Sequence, residues 1–472
     1  MSTPSHTRSG ALPANRTTVA RHLRIWLYSL VILVYLVVKI GRIDALAPVL
    51  SAVSLAAILV SLPATRWVSR VLSMLFLSAG TWMLLQKGTT AAEYVSGYGQ
   101  MVYLLALFVV VPVLSVPVRL GGYGKAIEAV LRGRVGGVFQ LQCLTTSLAF
   151  ICGSFMSVAA IPVMMTSMAP VLASYPIADR VRFMSIAAIC GYVLPILWTP
   201  VSGVVGTVLD SLRVDWLALF PSLFALSVAT LVVNWAIFYV FELRGRNAPR
   251  LDDPAPQNDA ASPLPLLFQM LAGILLLMGS VGVLEYILRI GLIPVVTMIS
   301  IPFALAWSIA IGQGRNAVRA VIHDFAVRLP GMADQFAIFI GAGFFAAAMR
   351  MSGFDHEANL MFLDLHEAIG SQLFLLLMPV MALAASFLGV HPLVAIALLG
   401  ESLKPEVLGI PIRQLAVALV GSAVLTYMQG PFSGTLGLVQ SINKVSSFRL
   451  AMWNAPYALA YFALLAAAIM LV

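Results

Sequence analysis

The sequence predicts an all-α polytopic membrane protein, with about 11 transmembrane helices and two re-entrant hairpins arranged as two inverted repeats. Three observations carry that prediction. The 472 residues are 61% hydrophobic and only 10% charged, with a mean hydropathy of +0.97, whereas a soluble domain holds roughly 25% charged and 45–50% apolar residues. The apolar residues fall into segments long enough to cross a bilayer, and the charges between them are sorted by side. A short motif recurs half a chain apart. The composition alone excludes a soluble enzyme, because a water-soluble fold of this size cannot bury so much apolar surface.

A net charge of +9 does not make this a nucleic-acid binder. The basic residues sit between apolar segments and form no continuous face. Cys143, Cys152 and Cys190 all lie in apolar stretches without metal-ligand spacing, and read as small buried residues.

At the amino terminus, a basic tail (Arg8, Arg16, Arg21, Arg24) leads into the apolar run from Ile25 to Val38. Lys39, Arg42 and Asp44 then intervene, and Pro48 stands where a leader would be cleaved, so the run reads as a retained first membrane helix. Residues 1–24 form a cytoplasmic tail. Apolar segments follow at 25–43, 44–62, 71–86, 101–118, 183–210 and 214–241, making an N-terminal membrane half over 25–242. Residues 243–264, rich in Arg, Asp and Pro, form a cytoplasmic linker. The second half, 265–472, contributes 265–288, 291–312, 333–350, 412–440 and 448–472.

Two stretches, 139–177 and 368–405, are too long for one span and are broken near their middles. The first breaks at Gly153-Ser154-Phe155-Met156-Ser157 and Pro162, the second at Ser386-Phe387-Leu388-Gly389-Val390-His391-Pro392. Each reads as a hairpin that returns to its own side. Irregular backbone of this kind survives in a membrane only where protein or a wet cavity satisfies it.

With the amino terminus inside, only Lys39, Arg42, Lys87, Arg213, Arg289, Arg350, Lys404 and Arg413 fall outside, and the remaining 20 of the 28 basic residues fall inside. That is the bias of the positive-inside rule.

Thr199-Pro200-Val201-Ser202-Gly203-Val204-Val205-Gly206-Thr207-Val208 matches Gly430-Pro431-Phe432-Ser433-Gly434-Thr435-Leu436-Gly437-Leu438-Val439. Pro, Ser, Gly, Gly and Val recur 231 positions later, and Ser154-Phe155 recurs as Ser386-Phe387. The topology runs one copy outward and the other inward, so the repeats are inverted. Pro and Gly interrupt the i to i−4 ladder in both copies. Interrupted segments in corresponding positions of two halves point to a transporter's substrate site.

The arrangement resembles the ion transporter superfamily, whose best described branch is the divalent anion/sodium symporters. The features shared are lead-in helices, an amphipathic arm at 121–137, a hairpin, a broken helix carrying Pro-x-Ser-Gly, a linker and the inverted repetition. That branch carries Ser-Asn-Thr at both hairpin tips, where this chain has Ser154-Phe155-Met156-Ser157 and Gly389-Val390-His391-Pro392. The resemblance therefore implies the architecture and a homodimer, and leaves dicarboxylate and sodium open.

Free N–H groups at the broken helices suit an anion, and exposed carbonyls and hydroxyls suit a small cation. The expected substrate-binding residues are Ser154, Ser157, Thr199, Ser202, His391, Gln429, Ser433 and Thr435. His391, with an ordinary pKa near 6.5, is the one ionisable residue at a hairpin tip and could carry a proton or hold an anion. Glu401 and Lys404 read as a local pair, and Glu285 and Arg289 as another. Trp198 and Trp453 read as packing or interfacial aromatics. Lys125–Arg134 and Arg315–Arg328 read as amphipathic surface arms.

These features predict a secondary transporter of a small organic anion, with a sodium ion or proton as coupling ion and no catalytic residue, bound cofactor or nucleic-acid partner. Two alternatives stay open. One is an integral-membrane enzyme on a lipid-linked substrate, built on Asp355, His356, Glu357, Asp364, His366 and Glu367. The other is the membrane subunit of a multi-component uptake or assembly system. The 23 Arg against 5 Lys point to a GC-rich bacterial coding sequence and hence to a multi-pass protein of a bacterial inner membrane.

Overall fold

The computed structural model describes residues 14–133, 135–244, 249 and 264–472. Their regular structure is helical throughout, and twelve helical stretches are long and apolar enough to cross a membrane. The protein is a multi-pass membrane protein. Most of the predicted tail and linker lies outside the described residues, although the first helix already begins at Ala14.

In the first half, the lead-in helices are α1 (Ala14–Gly41), α2 (Ala47–Ser61) and α3 (Trp67–Lys87). Short α4 (Ala91–Ser96) precedes α5 (Val102–Val110) and α6 (Ser115–Leu120). The arm α7 (Tyr123–Gly133) leads to α8 (Val138–Met156) and α9 (Ala160–Met168). Then come α10 (Arg180–Val193), α11 (Gly203–Leu212) and α12 (Trp216–Ile237). The second half runs α13 (Leu264–Leu288), α14 (Leu292–Ala310), the arm α15 (Gly314–Arg328) and α16 (Ala333–Ser352). It continues with α17 (Phe354–Ile369), α18 (Ser371–Phe387), α19 (Pro392–Ser402) and α20 (Pro405–Leu408). It ends with α21 (Ile412–Gln429), α22 (Gly434–Asn443) and α23 (Ser447–Leu471).

The predicted hairpins are α8–α9 and α18–α19. Ser157 breaks the first with φ +51°, and Gly389 breaks the second with φ +93°. Both return to the side they left. The Tyr175 hydroxyl, beyond α9, donates to the Val135 carbonyl, ahead of α8, at 2.8 Å. In the last turn of α19, Glu401 pairs with Arg350 at the end of α16, and just beyond it Lys404 reaches Asp355 of α17 at 2.9 Å. The twelfth long stretch is the first hairpin itself, Val138–Met168. It counts as a span because both its arms are apolar.

The 231-residue offset holds in the backbone as well as in the letters. Gly122 and Gly353, ahead of α7 and α17, both adopt positive φ, as do Arg213 and Lys444, which close α11 and α22. Ser202 and Ser433 are the N-caps of α11 and α22, and Asp215 and Ser446 those of α12 and α23. Asn443, at the end of α22, donates its amide to Ser185, at the start of α10, at 2.8 Å. Gly400 of the second hairpin packs on Ser211 at the end of α11. One broken helix thus ends where the other begins, which makes the repeats antiparallel.

Close backbone approach holds the bundle together, as it must where lipid supplies no hydrophobic drive. A methyl at Gly191 of α10 would meet Ala149 of α8 at 2.4 Å, and one at Gly421 of α21 would meet Leu465 of α23 at 2.2 Å. In the scaffold, α3 and α16 run parallel. Arg66 and Asp334 pair at one end at 3.3 Å, and Lys87 meets the Met351 carbonyl at the other. Tyr28 of α1 stacks on Phe336 of α16 at 3.7 Å and shares a 2.6 Å hydrogen bond with Ser61.

Two predicted local ion pairs do not form. Glu401 and Lys404 are each drawn to the partners just named, because tertiary packing brings opposite charges closer than their own helix does. Glu285 and Arg289 fail for a backbone reason. Arg289 lies past the end of α13 with φ +50°, which turns its side chain off the helical row.

Gly430 lies in the break before α22, where an added methyl would meet the Ser386 hydroxyl at 2.0 Å and the Thr426 carbonyl at 2.6 Å. Gly437, within α22, has nothing within 4 Å. Gly430→Ala is expected to cost about 1–3 kcal/mol through overpacking, whereas Gly437→Ala is neutral or slightly stabilising. Thermal melts of the two purified variants check this, and equal melting temperatures would refute it.

Candidate functional site

The two halves enclose a cavity of about 470 Å³. Its walls are the first hairpin tip (Met156, Ser157, Val158, Ala159), the break before α11 (Thr199, Val201, Ser202, Gly203) and, from the second half, His391, Leu393, Tyr427, Gly434 and Leu438. Leu107, Phe108 and Pro112 close the scaffold side, with Arg328, Met332 and Gln335 where α15 turns into α16. The lining is mainly apolar. Arg328 is its one formally charged side chain among the described residues.

Each break is tied to a hairpin, but differently. In the first copy, the Thr199 hydroxyl donates to the Ser154 carbonyl at 2.5 Å. The Trp216 indole donates to the Trp198 carbonyl at 2.9 Å. Both carbonyls, freed by the interruption of their helices, are thereby satisfied. In the second copy, glycine replaces threonine at the equivalent position 430, and Ser386 packs directly against its backbone.

The paired serines also diverge. The Ser433 hydroxyl accepts from Leu436 N at 3.3 Å and donates to the Tyr427 carbonyl at 3.3 Å, and it is buried. Ser202 occupies the same N-cap position without a side-chain cap bond and lines the cavity half-buried. The first-turn N–H groups of α11 therefore face the cavity with an unengaged hydroxyl beside them.

His391 N-caps α19 by accepting from Leu393 N at Nδ1, at 3.3 Å. In the neutral ring that bond places the proton on Nε2. The ring stands edge-on to Phe108 (5.9 Å, 88°) and Tyr427 (6.3 Å, 82°), with Phe339 at 5.5 Å.

Of the eight residues expected from the sequence, Ser157, Thr199, Ser202 and His391 line the cavity. The other four stand just outside it. The Ser154 hydroxyl bonds the Ile151 carbonyl of its own helix at 2.7 Å, and Ser433 is a cap. The Gln429 amide nitrogen and the Ser386 hydroxyl are buried without partners, and the buried Thr435 hydroxyl faces Tyr192. Residues the sequence did not single out complete the lining, namely Phe108, Tyr192, Gln335, Tyr427 and Arg328. Tyr192 lies beside both Ser157 and Thr435 and so bridges the repeats. Its signal in the sequence is only a polar tip on an apolar helix, and that of Arg328 is hidden among the charges of a surface arm.

The acidic and histidine cluster expected for the enzyme alternative lies along α17. Asp355 is engaged by Lys404, and His366 Nε2 shares a 2.8 Å hydrogen bond with Ser371. Among the described residues, no three His, Cys, Asp or Glu side chains are grouped so as to hold a metal ion. Trp198 is buried among Phe150, Phe220 and Phe224, and Trp453 lies under the Arg449 guanidinium at 5.2 Å. The cysteines are free. Cys152 and Cys190 are buried and Cys143 is half-buried.

No protein-family model matches the chain, and no curated protein does. Among solved structures, the chain is similar to the Alcanivorax borkumensis YdaH transporter, described as having an unusual topology. The TM-score is 0.59 at 16% identity, covering 84% of this chain and 97% of that one. Neisseria gonorrhoeae MtrF, described with a class of antimetabolite efflux pumps, aligns more loosely, with a TM-score of 0.45 at 12% identity over 78% and 82% of the two chains. The first likeness establishes a shared fold.

Because Ser433 is engaged as a cap and Ser202 is not, Ser433→Ala is expected to lower stability by about 1 kcal/mol. Ser202→Ala should stay within about 0.5 kcal/mol of the parent. Denaturant or thermal unfolding of both variants decides the matter, and an equal loss at the two serines would contradict the assignment.

Proposed function

We propose that this chain is a secondary active transporter of a small, carboxylate-like organic anion, working by alternating access around the cavity between its repeats. The observation that carries this reading is the meeting, at one apolar cavity, of a hairpin tip and a broken-helix N-terminus whose Ser202 cap is unengaged. A site of this composition favours negative charge through oriented N–H groups and the positive ends of helices. The apolar walls suit the body of an organic molecule. The fold it shares with a transporter supports the same reading.

In this mechanism α8–α11 and α18–α22 move as a unit against the scaffold of α1–α6 and α13–α16. The face carrying most of the arginines is cytoplasmic, and the protein lies in a bacterial inner membrane as a homodimer. The coupling ion is a proton or a sodium ion. His391, on the cavity wall, is the proton candidate. The buried hydroxyls of Ser386 and Thr435 beside the second break are the sodium candidates.

A thermal-shift screen of mono-, di- and tricarboxylates and inorganic anions, each with and without sodium and at two pH values, tests this. An anion at 100 times its Kd should stabilise the protein by about 2.7 kcal/mol. Loss of the pH dependence in His391→Ala identifies proton coupling. Loss of the sodium dependence in Thr435→Val identifies a sodium site. If no anion stabilises the protein under any condition, the transporter reading fails.

A further inference from the structure

We propose that Arg328 receives the anionic group of the substrate, and that Asp324 and Arg119 form a holder from which it is released to do so. This rests on the transporter reading above and assigns the residue that recognises the charge.

Arg328 is the last residue of α15 and belongs to two spaces at once. It lines the large cavity, and it also lines a smaller adjoining cleft that contains Asp324, with Phe108, Pro112 and Met332 common to both walls. Arg328 therefore stands in the partition between its counter-ion and the cavity.

The counter-ion is shared unequally. Asp324 Oδ2 receives Arg119 Nη2 at 2.5 Å, while Arg328 Nη2 stands off at 3.7 Å from the same oxygen. The Asp324 carboxylate is largely buried, at 13% exposure, whereas both arginine side chains are 42% exposed. A buried charge left alone is costly, but Asp324 keeps Arg119 when Arg328 departs. A 3.7 Å contact through a half-exposed arginine contributes little, so Arg328 loses little by leaving.

The cavity offers a better partner once an anion enters. A guanidinium forks to a carboxylate through two parallel, charge-assisted hydrogen bonds, and these strengthen where water is excluded. Among the described residues Arg328 is the only fixed positive charge on the lining, and Phe108, Met332, Tyr427 and Leu438 supply apolar wall. The matching ligand carries one anionic group on an apolar body.

The test uses the full-length protein in lipid nanodiscs, titrated calorimetrically with hexanoate and with its uncharged counterpart, hexanamide. Wild type should bind hexanoate at least about 10-fold tighter than the amide. R328Q should weaken hexanoate about 10- to 100-fold and leave hexanamide unchanged, which also shows that the variant folds. R328K, with a charge but no fork, should fall between.

The holder gives a second readout of opposite signs. R119Q leaves Asp324 dependent on Arg328 and should weaken hexanoate several-fold. D324N frees Arg328 and should tighten it. Both effects should vanish in the R328Q background, which simple loss of structure would not produce.

Hexanoate binding that is indifferent to R328Q overturns this inference alone, as do R119Q and D324N effects that persist without Arg328. Wild type that binds another anion of the screen but not hexanoate also overturns it. Failure of every anion in the thermal-shift screen overturns the transporter reading, and this assignment with it.

Discussion

Backbone N–H and C=O groups inside hydrocarbon need protein partners, and the rest of this structure depends on that constraint. Two of the helices are deliberately interrupted, at 198–202 and 430–433, so each leaves donors and acceptors without intrahelical partners. The hairpins, which are themselves broken, pack against those interruptions, and side chains of the breaks and of α12 take up the freed groups. Thr199 reaches across to the Ser154 carbonyl, Trp216 to Trp198, and Ser433 to Leu436 and Tyr427. An isolated broken helix would not persist in a membrane. Here the first break bonds to its hairpin through Thr199, and the second is capped from within by Ser433.

The same constraint explains why the two repeats, alike in backbone, are unlike in chemistry. The first copy satisfies its freed carbonyls through side chains and leaves the α11 N-terminus with its capping serine facing the cavity. The second copy caps α22 with Ser433 and relies on glycine for a close approach at Gly430, where the Ser386 hydroxyl packs without a hydrogen-bond partner. Symmetric folding therefore yields an asymmetric cavity. One half lines it with Ser202 and the α11 N-terminus, and the other with His391, Tyr427 and apolar side chains.

Charge is managed at the two faces. Five of the six non-glycine residues with positive φ among the described residues are basic, namely Arg42, Arg213, Arg244, Arg289 and Lys444. Each ends a helix in the left-handed conformation, an arrangement that normally favours glycine. A cation there faces the negative end of the helix and extends its stem toward the interface, which offsets the backbone strain. The ion pairs Arg66–Asp334, Arg119–Asp324 and Arg182–Glu242 gather on one face, and Arg350–Glu401 and Lys404–Asp355 on the other. Bonds join residues of the same predicted side throughout these pairs, so the sorting of charges along the chain survives as sorting in space.

Composition, segment length and the Pro-x-Ser-Gly repeat by themselves determined the membrane class, the broken helices, both hairpins and the antiparallel relation of the halves. They could do so because those features follow from periodicity, from proline and glycine backbone limits and from the placement of charge, all of which are local properties. The same local signals located Ser157, Thr199, Ser202 and His391 at the cavity. Only the tertiary structure decided that Ser202 and Ser433, identical in motif, differ in engagement, since that depends on what packs against each. It alone reassigned Glu401 and Lys404 to partners about 50 residues away, because three-dimensional proximity outweighs helical spacing. And it alone carried Arg328 from a surface arm to the cavity wall, since a charge on an amphipathic helix shows its sign in the sequence but not the space its last turn enters.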